Sequence, residues 1–280
     1  MEPTIFCFFM ANIISGIKLG AKAYLQAFKL MKEKRLYWYA IIPFALMFFL
    51  YRVGYYLQNR VDVPVFDSVN SIVWYLINRM IEISIALMLM HFTKYLVVGI
   101  LSPLLTYVSE KTETILTGTT TPFSLVQFIK DIKRALVILV RNFMWNYAYI
   151  IIIFIFCFIF WKDTAKSPFV FLVFFIDAYY YGFSFLDYVI ERRKKTVSES
   201  ILFIRKHTGL TLMIGMGFSV LLLVPVDLEI FFNYKMTVSK TIDLFIQLFW
   251  WVLASFSPII ATIAATIAMQ EVDPVKITGD

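Results

Sequence analysis

Six apolar blocks, each long enough or nearly long enough to cross a bilayer, set the main constraint on how this chain folds. They cover residues 36–57, 83–101, 143–161, 169–190, 208–226 and 244–269. A helix needs about 20 apolar residues to cross the hydrocarbon layer. A composition that is 60% hydrophobic exceeds what a soluble core of this length requires. We therefore predict an all-α integral membrane protein with a single membrane domain over 1–280, whose membrane helices occupy 36–269.

Lysine and arginine are unevenly distributed between the segments that separate these blocks. Most of the 26 basic residues fall in the N-terminal segment, the second and fourth connectors and the C-terminal tail, 270–280. The alternate connectors hold Arg60, Lys162, Lys166, Lys235 and Lys240. Under the positive-inside rule this asymmetry places both termini in the cytoplasm. Because topology accounts for the net charge of +7, we expect no nucleic-acid partner.

Two stretches outside the blocks have the periodicity of amphipathic helices. In 13–35, apolar residues such as Ile13, Ile17, Tyr24 and Phe28 recur every three or four residues, and lysines occupy another face. Such a helix is expected to lie on the lipid surface, with membrane lipids as partners, although it could also attract a ligand. The connector 106–142 contains a second predicted surface helix at 123–140. Residues 1–12 are expected to be disordered or to contain a mis-annotated start, in which case Met10 is the true start and 1–9 are an extension.

The sequence contains no recognisable catalytic machinery. It has no phosphate-binding loop, dinucleotide fingerprint, nucleophile elbow or zinc-protease motif. Asp177 and Asp187 lie about 15 Å apart along one helix, too far for a carboxylate dyad. Cys7 and Cys157 indicate no disulfide or metal site. We expect neither a cofactor nor an enzymatic activity.

Polar residues inside or beside apolar blocks are candidates for lining a solute pathway, since such residues are costly in a membrane. They are Arg79, His91, Lys94, Ser102, Asn142, Asn146 and Asp177. Simpler interpretations compete for some of them. Lys94 can extend to the interface, and Arg79 can pair with Glu82. For Asp187, beside a basic run, we expect pairing with Arg192 or Arg193. The full set follows no single helical spacing, so a pore would have to form between helices or subunits.

The order of several motifs resembles a known family. The amphipathic GIKLGAKAYLQAFKLMKEKRLYWYAIIP precedes a helical pair, the break SPLLTYVSEKTE and the basic helix FIKDIKRALVILVRN. The aromatic YYYGFSFLDYVIERRKK and the small-residue SPIIATIAATIA follow. Over roughly 14–269 the chain resembles the CysZ/etoposide-induced-protein-like family, whose bacterial members are regarded as sulfate permeases.

The resemblance implies a specific architecture and function. Family members have two long spanning helices, helix hairpins that enter the bilayer without crossing it, and an oligomeric assembly. They are thought to pass sulfate across the bacterial inner membrane for cysteine biosynthesis without using nucleotide. If this holds here, the third to sixth blocks include re-entrant hairpins, and the protein is a homo-oligomer.

One departure from the family concerns its anion-binding motif, a Gly-Leu-Arg before the first spanning helix. The corresponding stretch here reads Arg35-Leu36-Tyr37, so both the glycine and the arginine positions differ. A dianion needs converging donors, which an arginine beside a helix start can supply. We therefore predict an anion site at Lys34, Arg35, Leu36 and Tyr37. Anchoring of these cations at the inner surface is the competing interpretation.

Three functions remain open from the sequence. The first is a passive permease or channel for sulfate or a related anion, which needs a hydrated path and weak binding. The second is a membrane scaffold or biogenesis protein of the same fold without transport activity. The third, a lipid-modifying enzyme, lacks a candidate nucleophile or metal site.

Overall fold

Helices account for the secondary structure throughout the described part of the chain. The computed structural model describes residues 3–59, 67–91, 98–118, 125–161, 166–222 and 238–274. The α-helices are α1 (Pro3–Glu33), α2 (Ile41–Asn59), α3 (Val69–His91), α4 (Ser102–Thr117), α5 (Leu125–Phe160), α6 (Phe171–Arg192), α7 (Val197–Lys206), α8 (Thr208–Leu221) and α9 (Val238–Val272). Short 3-10 helices cover Leu36–Ala40 and Pro168–Val170. The all-α prediction is confirmed.

Four helical segments among the described residues are long and apolar enough to cross a membrane. They are Leu36–Leu57, Lys133–Phe160, Pro168–Arg192 and Thr241–Val272. The chain is therefore a membrane protein. The predicted second block continues beyond α3 into 92–97, outside the described residues. The fifth block contains α8, whose 14 residues span only about 21 Å, less than the hydrocarbon thickness of about 30 Å. This length fits the expected re-entrant hairpin.

Two predicted boundaries differ from the structure. We predicted a surface helix at 123–140, ending before a separate block at 143, but α5 is one continuous helix of 36 residues. This boundary is wrong because no glycine or proline occurs between Leu125 and Phe160 to end the helix. The N-terminal helix also begins at Pro3, ten residues earlier than predicted. The predicted break at Ser102 is confirmed, since α4 begins there with proline at its start.

Glycines allow α8 to pack with backbone contact on two sides. A Cβ atom built at Gly215 would lie 1.6 Å from the carbonyl oxygen of Ala178 on α6. On the other face, a Cβ at Gly209 would lie 2.1 Å from the carbonyl oxygen of Ile13 on α1. Small residues permit such close approach of membrane helices. Gly209 and Gly215 therefore serve helix packing, since a side chain at either position would push α8 away from its neighbour.

The C-terminal half of α9 forms the centre of the bundle. Between Ile259 and Met269 its side chains are buried, and alanines at 261, 264, 265 and 268 bring neighbouring helices close. The apolar window of α9 is 83% buried, whereas that of α5 is 11% buried. Helices α1, α4, α6 and α8 pack around α9. Helix α5 lies at the periphery against α6 and leaves most of its surface for lipid or a partner.

Candidate functional site

The predicted anion-binding segment lies at the junction between α1 and the first candidate span. Lys34 and Arg35 are both exposed, while Leu36 is fully buried and anchors the junction in the core. Tyr37 is half-buried, with its ring 5.5 Å from that of Trp38. The 3-10 helix that starts at Leu36 has no side-chain cap. Its first amide groups therefore lie beside two exposed cations, and uncapped amide groups are donors for an anion.

A third cation, Lys111 on α4, packs against the same junction. Its Nζ donates a hydrogen bond of 2.9 Å to the Tyr39 hydroxyl and lies 5.3 Å from the centre of that ring. The hydrogen bond with Tyr39 raises the pKa of Lys111, so the ammonium stays protonated at neutral pH. Sequence reasoning missed Lys111 because its role depends on how α4 docks on the 3-10 helix, which no local pattern reveals.

Arg35 has a left-handed backbone conformation, with φ 55° and ψ 32°. Left-handed geometry costs an ordinary L-residue about 1–2 kcal/mol, whereas glycine adopts it freely. Glycine loses about 0.5–1 kcal/mol more entropy on folding. We therefore expect Arg35→Gly to raise the free energy of unfolding by about 0.5 kcal/mol. Arg35→Ala removes the same charge but keeps the strain, so it is the matched control. Melting of both variants in detergent tests this, and a glycine variant that melts no higher than the alanine variant would contradict it.

Two of the predicted pathway residues meet between α5 and α6. The Asn146 side-chain amide donates a hydrogen bond of 2.7 Å to the Asp177 carboxylate, and Asn146 is fully buried. One turn away, the buried Asn142 side-chain amide lies 3.4 Å from the Ser184 hydroxyl. These contacts form a polar line within the interface of two candidate spans, where such residues are costly unless paired.

Arg134 extends this polar line towards one end of the bundle. It lies eight residues before Asn142 on α5 and pairs with Asp187 at 3.0 Å and with Glu191 at 3.8 Å. It also donates a hydrogen bond of 2.7 Å to the Ser200 hydroxyl on α7. Spacings of eight and four residues put Arg134, Asn142 and Asn146 on one helix face. That spacing was the available signal, but assigning Arg134 to a surface helix concealed it.

A second ionic cluster occupies the same end of the bundle. Glu113 on α4 pairs with Arg192 at 2.7 Å and with Arg193 at 3.6 Å, and it accepts a hydrogen bond of 2.7 Å from the Gln270 amide. Arg193 also pairs with Asp273 at 3.2 Å, beyond the end of α9. A hydrogen bond from Lys195 lowers the pKa of Asp273. This cluster ties α4, α6 and α9 together.

These contacts correct the partner that we predicted for Asp187. We expected pairing with Arg192 or Arg193, but Asp187 pairs with Arg134, and both neighbouring arginines turn to Glu113. The cause is tertiary, because α5 brings Arg134 to Asp187, while α4 brings Glu113 to Arg192 and Arg193. We call the two groups together the charged end. Its members are Arg134, Arg192, Arg193, Lys195, Glu113, Asp187, Glu191 and Asp273, so four cations balance four carboxylates.

The remaining pathway candidates are not brought to the polar line by the described contacts. Arg79 pairs with Glu82 at 2.9 Å and donates to the Leu57 carbonyl oxygen at 3.2 Å, between α2 and α3. This bears out the local pairing that we predicted. Ser102 is buried as the first residue of α4. Lys94 and the side chain of His91 lie outside the described residues.

Comparison with known proteins identifies the family to which the chain belongs. No curated protein matches the chain. Residues 23–232, three quarters of the chain, match the family model described as Sulfate transporter CysZ/Etoposide-induced protein 2.4. The matched region includes the 34–37 junction, Lys111, the α5–α6 polar line and most of the charged end. The chain therefore belongs to the Sulfate transporter CysZ/Etoposide-induced protein 2.4 family.

Proposed function

We propose that this protein is a passive permease for sulfate or a closely related anion, which it delivers to the cytoplasm for cysteine biosynthesis. The observation that carries the proposal is the junction at Lys34 and Arg35, where two exposed cations flank the uncapped amide groups of Leu36 and Tyr37. Lys111 adds a third positive charge beside it. Such donors suit a dianion, and their exposure allows release, which conduction requires.

The distribution of charge inside the bundle supports conduction rather than tight storage. At the charged end, four cations and four carboxylates cancel one another, so this cluster offers no net positive charge that would trap a dianion. In the polar line, the side-chain amides of Asn142 and Asn146 supply hydrogen-bond donors between α5 and α6, and the Asp177 carboxylate accepts from Asn146 while the line is closed. We propose that the anion passes along this line when the paired groups separate.

The proposed setting is the bacterial inner membrane, with both termini in the cytoplasm. The lysines of α1 at 18, 22, 29 and 32 are exposed, as a helix on an anionic inner surface requires. Helix α5 is 11% buried along its apolar window, which leaves a surface for a second copy of the chain as well as for lipid. We propose that the protein is a homo-oligomer. We also propose that it has no enzymatic activity and no nucleic-acid partner.

The same exposed surface favours the alternative function, a membrane scaffold or biogenesis protein. Leu136, Val140 and Met144 on α5 are at least half exposed and present an apolar face to a partner. In that case Lys34 and Arg35 anchor the chain to lipid headgroups, and no anion flux accompanies the fold.

Uptake of radiolabelled sulfate into proteoliposomes distinguishes the two functions. We expect saturable uptake by the purified protein and, in the Lys34→Ala/Arg35→Ala variant, an apparent KM at least about tenfold higher. A hydrogen bond to a charged group contributes about 1.5–3 kcal/mol, which corresponds to this factor. Lys29→Ala/Lys32→Ala removes the same charge from exposed positions of α1 and should leave uptake nearly unchanged.

Either of two results would decide against a part of this proposal. Uptake equal to that of empty liposomes, from folded and inserted protein, would exclude the permease and favour the scaffold. Equal uptake by both double variants would retain the permease but remove the site at Lys34 and Arg35.

A further inference from the structure

An open groove of about 420 Å³ lies between α5, α6, α7 and α8, and none of the residues that line it belongs to the junction at Lys34. One part of its wall carries Arg141 from α5, Arg205 from α7 and Thr208 from α8. The rest is aromatic and aliphatic, including Phe175 and Leu172 of α6. We call it the Arg141–Arg205 groove. None of the described residues that line it is acidic.

The two arginines direct positive charge into one region of the groove. The Arg141 guanidinium lies 5.2 Å from the centre of the Phe183 ring and donates to the Asn142 side-chain oxygen at 3.0 Å. These contacts hold it beside the α5–α6 interface. Tyr179 and Tyr180 line the same cavity as Arg141 and Arg205. The groove therefore brings two cations and two hydroxyl groups into the wall of one cavity.

The apolar part of the groove has the length of one lipid leaflet. From Phe183, beside Arg141, to Leu172, the wall follows α6 for eleven residues, or about 16 Å. Half of a hydrocarbon layer of about 30 Å is about 15 Å. Tyr149, Leu172 and Phe175 are 44%, 45% and 43% exposed, so the groove opens sideways towards the lipid.

The groove has a cationic part and an apolar part, and a ligand must match both of them. A small inorganic anion would use the arginines but leave most of the 420 Å³ and the apolar wall without a partner. The groove has two arginines and no acidic residue among the described residues that line it. A zwitterionic lipid has no net negative charge to balance the two arginines. A phospholipid with a net negative headgroup matches both parts at once.

We propose that the Arg141–Arg205 groove binds one anionic phospholipid from the membrane. The phosphate contacts Arg141 and Arg205, with the hydroxyls of Tyr179 and Tyr180 as further donors. One acyl chain lies along Phe175 and Leu172. Because the arginines belong to α5 and α7, the bound lipid joins the peripheral α5 to the rest of the bundle. This role is separate from sulfate uptake.

Binding of phosphatidylglycerol to the detergent-solubilised full chain, counted by native mass spectrometry, tests the proposal. We expect one lipid to bind more tightly than phosphatidylcholine. The apparent Kd should rise about 5-fold for each of Arg141→Gln and Arg205→Gln, since one basic residue near an anionic surface contributes a factor of this size. Lys206→Gln, the matched control, removes an exposed cation next to Arg205 that does not line the groove. It should bind normally.

Further experiments distinguish binding of a lipid from binding of a free anion, and loss of binding from loss of the fold. Leu172→Trp fills the apolar wall without changing charge and should weaken phosphatidylglycerol binding. Glycerol 3-phosphate and sulfate, at concentrations equal to the lipid, should not displace it. Displacement by either would overturn the lipid assignment and leave a free-anion site. Equal binding of phosphatidylcholine, or normal binding by variants that melt like the wild type, would overturn the proposal.

Discussion

Gly215→Ala is expected to destabilise the bundle by about 3 kcal/mol or more, the upper range for overpacking a core. The new methyl group would meet the Ala178 carbonyl oxygen at 1.6 Å and the Gly182 amide nitrogen at 2.7 Å, and both are backbone atoms that cannot rotate away. To relieve this contact, α8 must separate from α6. The separation also disturbs α1, which packs on the opposite side of α8.

The sign of this effect makes the prediction specific. In an unconstrained helix, glycine to alanine stabilises by about 1 kcal/mol. Gly99→Ala is the matched control, because its added methyl would meet the flexible end of Leu139 at 2.5 Å, and that side chain can move. We expect the Gly215 variant to melt well below the wild type in detergent and the Gly99 variant to melt near it. Similar melting of both variants would show that the α6–α8 contact is looser than described.

The fold could be predicted to the extent that it depends on local composition. Apolar length identified the spans around α2, α5, α6 and α9, and Pro103 marked the start of α4, because both signals act within a few residues. The boundary at 142 was wrong because a change from charged to apolar residues was interpreted as the end of a helix. Arg134 is paired with carboxylates of α6, so a single helix can contain both the charged segment and the apolar segment.

The candidate site could be predicted only in part, for a related reason. The exposed cations Lys34 and Arg35 were visible as a basic pair before a span. Asn146 and Asp177 were named separately, but their contact requires α5 and α6 to be antiparallel neighbours in one register. The partners of Lys111 and Glu113 lie on elements more than 70 residues away, so no spacing in the sequence reveals them.

Glu113→Gln is expected to lower the free energy of unfolding by about 3 kcal/mol or more, the range for removing one partner of a buried ion pair. Glutamine keeps the size of the side chain and its contact with Gln270. It removes the negative charge that faces Arg192 at 2.7 Å and Arg193 at 3.6 Å. Both arginine side chains are only 11% exposed, so water cannot replace the carboxylate in stabilising their positive charges. Glu33→Gln is the control, since Glu33 is exposed and lies 3.9 Å from Lys29.

A double variant tests whether the charge pair causes the effect. If the loss in Glu113→Gln reflects an uncompensated Arg192, then Glu113→Gln/Arg192→Gln should recover part of the stability, because neither charge of that pair remains. The recovery of stability should be incomplete. Arg193 keeps its ion pair with Asp273, but it still loses its ion pair with Glu113. Thermal melting in detergent of the two single variants and the double variant gives the coupling free energy. Strictly additive losses would mean that Arg192 and Glu113 are solvated independently.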